Sequence, residues 1–227
     1  MQSSQKLRDA LTIVVLAFFL FSCYATTHRG PWALEPGEVS ASGNYMHFFE
    51  EDMEEPGKLA SFEGRVGLPG KVDIGYMRTI DLTEGLDEDE GMDTHWMDAK
   101  IQLANRQNIE GKPTLAFGYG FGNLVHPEEP IWVNTLYLSA GIEQKKLRTF
   151  YTFKVEAYDE EMHLVPEWLW EEDFTELMKS NVIGFEYAVT PNIRPVIELG
   201  RYHTEEIADG MNVFSLGLNY YTGSLIP

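Results

Sequence analysis

The sequence predicts an all-β fold: one antiparallel up-and-down barrel of about ten strands, roughly eight to twelve, with a short helix in one connection. Three observations predict it. Large apolar side chains recur at every second position, as in "TLAFGYGFGNLV" (114–125), where Leu115, Phe117, Tyr119 and Phe121 alternate with Thr114, Ala116, Gly118, Gly120 and Gly122. Such segments run for about ten residues and are separated by turn-forming residues. The separating stretches are alternately long and acidic, then short and basic.

The bulk properties bound the remaining possibilities. A chain of 227 residues with 44% hydrophobic content is long enough for one large domain or two small ones, and no internal repeat or low-complexity linker divides it. The formal charge of -19 argues against nucleic acid as a partner, which needs a basic footprint. A single cysteine rules out an intrachain disulfide and any multi-cysteine metal site.

Taken in order, residues 1–23 read MQSSQKLRDALTIVVLAFFLFSC, with Lys6 and Arg8 ahead of an apolar core from Ala10 to Phe21. That order of charge, apolar core and small residues predicts a secretory signal, and the core is too short for a stable spanning helix. A buried N-terminal helix is the plainer alternative. Leu20-Phe21-Ser22-Cys23 resembles a bacterial lipobox, which implies acylation of Cys23; Tyr24 after it, rather than Asp, implies sorting to the outer membrane. Cleavage after Ala25 is the other reading of the same stretch. Residues 24–37 then form a periplasmic segment, and 38–227 form the barrel domain.

Strands are predicted at 38–49, 57–66, 72–79, 94–103, 113–122, 131–141, 148–158, 181–190, 193–202 and 212–221. The clearest period-2 segment is "RTFYTFKVEAY", with Thr149, Tyr151, Phe153, Val155 and Ala157 on one face and Arg148, Phe150, Thr152, Lys154 and Glu156 on the other. "NVIGFEYAV" repeats it, with Ile183, Phe185, Tyr187 and Val189 opposite Gly184, Glu186 and Ala188. Segments 38–49 and 131–141 alternate poorly. In "PEWLWEEDFTELMKS" (166–180), Pro166 is placed to open a short helix.

Which way the apolar face points is decided by the other face. It carries Glu63, Arg65, Asp73, Asp98, Lys100, Lys154, Glu156, Glu186, Arg194 and Glu198, interspersed with Gly118, Gly120, Gly184 and Gly200. A water-facing surface shows long polar residues at nearly every position, whereas near-balanced charges mixed with tiny residues suit a crowded lumen. Turned toward lipid at midplane, each Arg or Lys would cost about 2–4 kcal/mol. A strand of about 10 residues tilted by about 40° covers about 25 Å, the height of an outer-membrane barrel's apolar band.

The connections give a second test. Those at 50–56, 80–93, 123–130, 159–180 and 203–211 hold about 25 of the 36 acidic residues, with Lys179 their only Lys or Arg. Those at 67–71, 104–112, 142–147 and 190–192 are short and carry Lys71, Arg106, Lys112, Lys145 and Lys146. Long loops outside and short periplasmic turns are the asymmetry of membrane barrels. On these residues the chain resembles small Gram-negative outer-membrane β-barrels, the broad superfamily that includes OmpA- and OmpX-like barrels, over roughly 38–221. "FEGRVGLPGKVDIGYMR" is similar to a strand–turn–strand unit of such proteins, with the inward Glu63/Arg65 pair ahead of the turn. The C-terminal aromatic of these barrels is displaced here, since "TGSLIP" follows Tyr220 and Tyr221.

Motifs with chemical meaning are few. "GYGFG" (118–122) lacks the strand–glycine turn–helix context of a nucleotide loop. Asp87, Asp89 and Asp93 in "DEDEGMD" form a weak divalent-cation loop without a closing glutamate at calcium-loop spacing, so a solvated acidic loop is the plainer reading. His95, His126, His163 and His203, with Asp81, Asp159 and Asp209 nearby, sit where a rim hydrolase would need them, yet no spacing singles out a catalytic set. Trp96, Trp132, Trp168 and Trp170 fit an outer aromatic girdle, with a ligand-stacking platform as the alternative.

The expectation is therefore a protein of the bacterial outer membrane with a structural or surface-interaction role, its partners outer-membrane lipid and lipopolysaccharide and surface partners of its acidic loops, monomeric, without cofactor or metal and not an enzyme. Five basic and six acidic residues would share its interior and close it with salt bridges. A narrow channel is the runner-up; a soluble lipocalin-like binder of an apolar ligand and an outer-membrane hydrolase follow.

Overall fold

The computed structural model describes residues 30–49, 57–83, 93–124, 131–159, 176–203 and 211–224. Ten strands follow in chain order: β1 (Glu38–Phe49), β2 (Gly57–Leu68), β3 (Val72–Asp81), β4 (Thr94–Ala104), β5 (Thr114–Leu124), β6 (Ile131–Gln144), β7 (Leu147–Asp159), β8 (Glu176–Tyr187), β9 (Ile193–His203) and β10 (Met211–Ser224). Each pairs antiparallel with its sequence neighbours, and β1 pairs with β10 to close the barrel. Closure leaves no sheet edge with unpaired N–H and C=O groups, the condition for a sheet in hydrocarbon.

The closure has a measurable stagger. Strand partners followed from Phe49 run through Asn212, Arg201, Asn181, Phe153, Leu138, Phe117, Ile101, Val72 and Leu68. The β1–β2 register, Val39 opposite Val66, sets Leu68 opposite position 37, so the circuit returns 49 − 37 = 12 residues lower on β1. A shear of 12 over ten strands makes a level line climb about 1.2 residues per strand relative to the ladder, in keeping with strongly tilted strands.

The strand positions agree with the alternation, including the two poorly alternating segments. In β1 the inward residues are Ser40, Ser42, Asn44 and Met46, all buried, so the face is polar rather than absent. Strands extend past the expected ends where period 2 continues, as in β10 to Ser224 and β6 to Gln144. The turns at 69–71 and 145–146 are correspondingly short, with Gly70 and Lys145 at positive φ.

One element is corrected. The helix expected over 166–180 does not extend through 176–180, because β8 begins at Glu176 and pairs with both neighbours: Glu156 opposite Met178, Lys179 opposite His203. Met178 points inward and Lys179 outward, a period of 2 that tertiary pairing imposes on a stretch whose local pattern is helical. Residues 166–175 lie outside the described residues.

Candidate functional site in the lumen

The inward positions form two layers. Toward the short turns, Arg65 lies among three carboxylates, its guanidinium 2.6 Å from each of Glu63, Asp73 and Asp98. Lys100 Nζ is 3.5 Å from Asp73, and the Tyr137 hydroxyl donates to Asp98 Oδ2 at 2.5 Å. Beside this cluster, Arg148 and Arg194 share Glu143 (3.1 and 3.2 Å) and Glu186 (3.6 Å each), and the Tyr221 hydroxyl donates to Glu186. A third group sits higher, where Lys154 Nζ donates to Glu156 Oε1 at 2.7 Å and lies over the Tyr202 ring.

The inward glycines are explained by these side chains lying flat across them. A Cβ on Gly118 would stand 2.0 Å from the Tyr137 ring, one on Gly75 would stand 2.5 Å from the Arg65 guanidinium, and one on Gly184 would stand 2.1 Å from Phe150. The sheet is bare where the network and Phe150 need the room.

The chain ahead of β1 completes the turn-side layer. Residues 30–34, part of the segment read from sequence as periplasmic, lie buried within the barrel. The Ala33 N–H donates to Gln102 Oε1 and the Leu34 N–H to Asp73 Oδ2; Lys100 Nζ donates to the carbonyls of Gly30 and Trp32. The Trp32 ring meets Phe150 edge-on at 6.4 Å and takes the Arg148 guanidinium 4.7 Å from its centroid. Buried backbone in a loop must find partners, and here the strand side chains supply them. A small polar space remains between this strap and the wall, lined by Arg65, Asp73, Lys100, Arg148, Glu186 and Tyr221 among others. Toward the loops the lumen turns apolar: Met46, Met77, Tyr202 and Val213 are buried together, with Phe48, Leu59, Trp96, Met178 and Met211 against them.

All ten charged residues read from the sequence as lumenal face inward, and the structure brings Glu63, Arg65, Asp73, Asp98 and Lys100 into one cluster and Glu186 and Arg194 into another. Sequence reasoning missed Glu143, assigned to a turn although it keeps the period of Ser139 and Gly141, and missed Trp32, whose signal was the apolar run Pro31–Leu34 before the first strand. Trp96 is corrected: it shares the inward parity of Asp98 and Lys100 and packs in the apolar lumen layer, so it belongs to no girdle. Trp132 faces outward, half-buried. His95 accepts or donates a 2.6 Å bond with the Tyr76 hydroxyl on the outer wall, and His203 stands outward opposite Lys179 on a distant strand; the two share no cleft. Asp93 lies 3.5 Å from Arg78 and takes the Asp81 N–H, while the Thr83 N–H donates to Asp81. Cys23, Asp87, Asp89, His126, His163, Trp168, Trp170 and Asp209 lie outside the described residues, as does the Asp159 side chain. Among the described residues no group of three His, Cys, Asp or Glu side chains is placed to hold a metal.

The outer wall is the reverse of the lumen. Phe153 is 37% exposed and Tyr187 49%, while their neighbours Lys154 and Glu186 are 2% and 3% exposed. A soluble lipocalin-like barrel needs the opposite, an apolar interior and a polar outer wall. A closed sheet, apolar without and charged within, is stable only with lipid against it, and closed barrels of this kind belong to bacterial outer membranes. This is an outer-membrane β-barrel protein.

Similar structures are barrels of the same kind. The KdgM porin superposes with a TM-score of 0.42 at 9% identity, covering 79% of this chain and 98% of that one. Ail of Yersinia pestis gives 0.40 at 9% identity, covering 82% and 99%. The outer membrane protease OmpT of Escherichia coli gives 0.36 at 12% identity, covering 82% and 94%. Likeness at this level concerns the barrel and says nothing about activity. No family model and no curated protein matches the chain.

Proposed function

We propose that this outer-membrane barrel is a plugged, non-enzymatic protein with a structural or surface-interaction role, presenting acidic loops above a sealed lumen. The observation that carries this reading is that the lumen is filled from both ends: by the 30–34 strap and its salt bridges toward the turns, and by the Met46–Met77–Tyr202–Val213 layer toward the loops. A diffusion pore needs a continuous wet path, and a rim enzyme needs convergent acid, base and nucleophile. The described histidines, His47, His95 and His203, stand at outward positions on three separate strands, β1, β4 and β9. The remaining polar space is lined by both signs of charge and lies below the apolar layer. Acylation at Cys23 would add a second attachment to the membrane.

Planar-bilayer recording tests the reading. The purified protein is expected to insert without steady conductance. Stable open-channel currents from the wild-type protein would favour the narrow channel and overturn the plug.

A further inference from the structure

The strap lies in a groove shaped for main chain. Where it crosses the wall, the strands are bare: a Cβ on Gly67 would run into the Glu35 carbonyl and stand 2.8 Å from Leu34, and one on Gly141 would stand 2.8 Å from the Trp32 ring. Three buried polar side chains face the strap, and their bonds to it go to its backbone. Lys100 Nζ donates to the Gly30 and Trp32 carbonyls at 3.2 and 3.0 Å. Gln102 Oε1 accepts the Ala33 N–H at 2.9 Å, and Asp73 Oδ2 accepts the Leu34 N–H at 3.2 Å. Lys100 is 2% exposed, and Asp73 and Gln102 are 0% exposed. One side chain is read as well: the Trp32 indole fills the slot between Phe150 and the Arg148 guanidinium.

The strap is attached to the wall differently from any strand. Among the described residues, main-chain pairing between this segment and the wall begins at Gly37, whose N–H donates to the Gly67 carbonyl at 2.9 Å. Gly37 has a φ of +75°, a conformation glycine reaches without strain, so it can serve as a hinge. Beside it, at the turn-side mouth, Glu35 pairs with Lys71, and the Glu35 carboxylate is largely in solvent. Upstream of this hinge the strap depends on four side-chain bonds to its backbone and on one aromatic slot. A groove that reads an extended main chain and a single ring is not tied to the chain that carries them. An incoming segment with the same groups would satisfy Lys100, Gln102 and Asp73 as the strap does, so exchange need strand no buried charge.

We propose that the turn-side half of the lumen is a binding site for an extended peptide with one bulky aromatic, filled in cis by residues 30–34 and open to a separate peptide when the strap swings out about Gly37. The proposal rests on the reading of the strap as part of the plug, and adds that this part is exchangeable.

The test uses the full chain in phosphatidylcholine nanodiscs, which leave both mouths open, and a fluorescent peptide of residues 30–37. Trp32→Ala/Leu34→Pro removes the indole and one N–H from the strap without touching a strand; heat-modifiable gel migration reports that the barrel is folded, and protease cutting within 30–37 reports that the strap is out. The folded variant is expected to bind the peptide at least tenfold more tightly than wild type, whose site is occupied by its own strap. Peptides N-methylated at the Ala33 and Leu34 amides, or carrying Trp32→Ala, should bind the variant at least tenfold more weakly than the parent peptide. A strap still protected in the variant, a scrambled peptide bound as well as the parent, or a released strap with no peptide binding would each refute the site. Failure of the plug itself is separate, since it appears as steady current through the wild-type barrel.

Discussion

Replacing Arg65 with Met is the sharpest test of the lumen network. Arg65 is 4% exposed at its side chain, and its three carboxylates Glu63, Asp73 and Asp98 are 7%, 0% and 7% exposed. Methionine fills much of the volume but leaves three buried negative charges with one nearby cation, Lys100, 3.5 Å from Asp73. Removing one partner of a buried pair costs about 3–5 kcal/mol because the other charge stays desolvated. The penalty should fall in that range rather than three times it, since Lys100 and the Tyr137 hydroxyl still serve Asp73 and Asp98. Urea unfolding in lipid vesicles, followed by tryptophan fluorescence, measures it. Adding Asp98→Asn to the variant should recover part of the loss. A loss below about 1 kcal/mol, or no recovery in the double variant, would refute the claim that these charges are buried and mutually dependent.

Other substitutions probe other layers. Gly118→Ala should cost about 1–3 kcal/mol by pushing Tyr137 off Asp98, and the penalty should shrink in a Tyr137→Ala background; additive losses by urea unfolding would contradict that contact. Ile197→Arg, on the exposed wall halfway along β9, should lose about 2–4 kcal/mol in vesicles, and a neutral result would place that face away from lipid. Trp32→Ala should destabilise the barrel by about 3 kcal/mol and raise proteolysis near the strap in refolded protein, through loss of the Phe150 and Arg148 contacts. Labelled fatty acid should be incorporated in cells by the wild-type chain and lost in Cys23→Ala; unlabelled wild type would remove acylation from the account.

The barrel was legible because a period of 2 is local information. "RTFYTFKVEAY" states which residues share a face, and the glycine–charge mixture opposite the aromatics states which face meets lipid. Segment 38–49 was hard to read because its inward face, Ser40 to Asn44, is polar and its outward face includes Ala41 and Gly43, so hydrophobicity barely alternates while burial does. Segment 176–180 misled for the opposite reason: its helical pattern is local, and hydrogen bonds to β7 and β9 outweigh it.

By itself the sequence determined the inverted sheet, the strand count and the inward charges, since all three follow from residue spacing and the cost of charge in hydrocarbon. Only the closed tertiary structure decided which charges meet. Arg65 reaches Asp98, 33 positions on, and Arg194 reaches Glu143, 51 positions back, because the stagger of the ladder sets them side by side. The strap's place in the lumen likewise depends on polar groups from β3 and β4 that no stretch of residues 30–37 specifies.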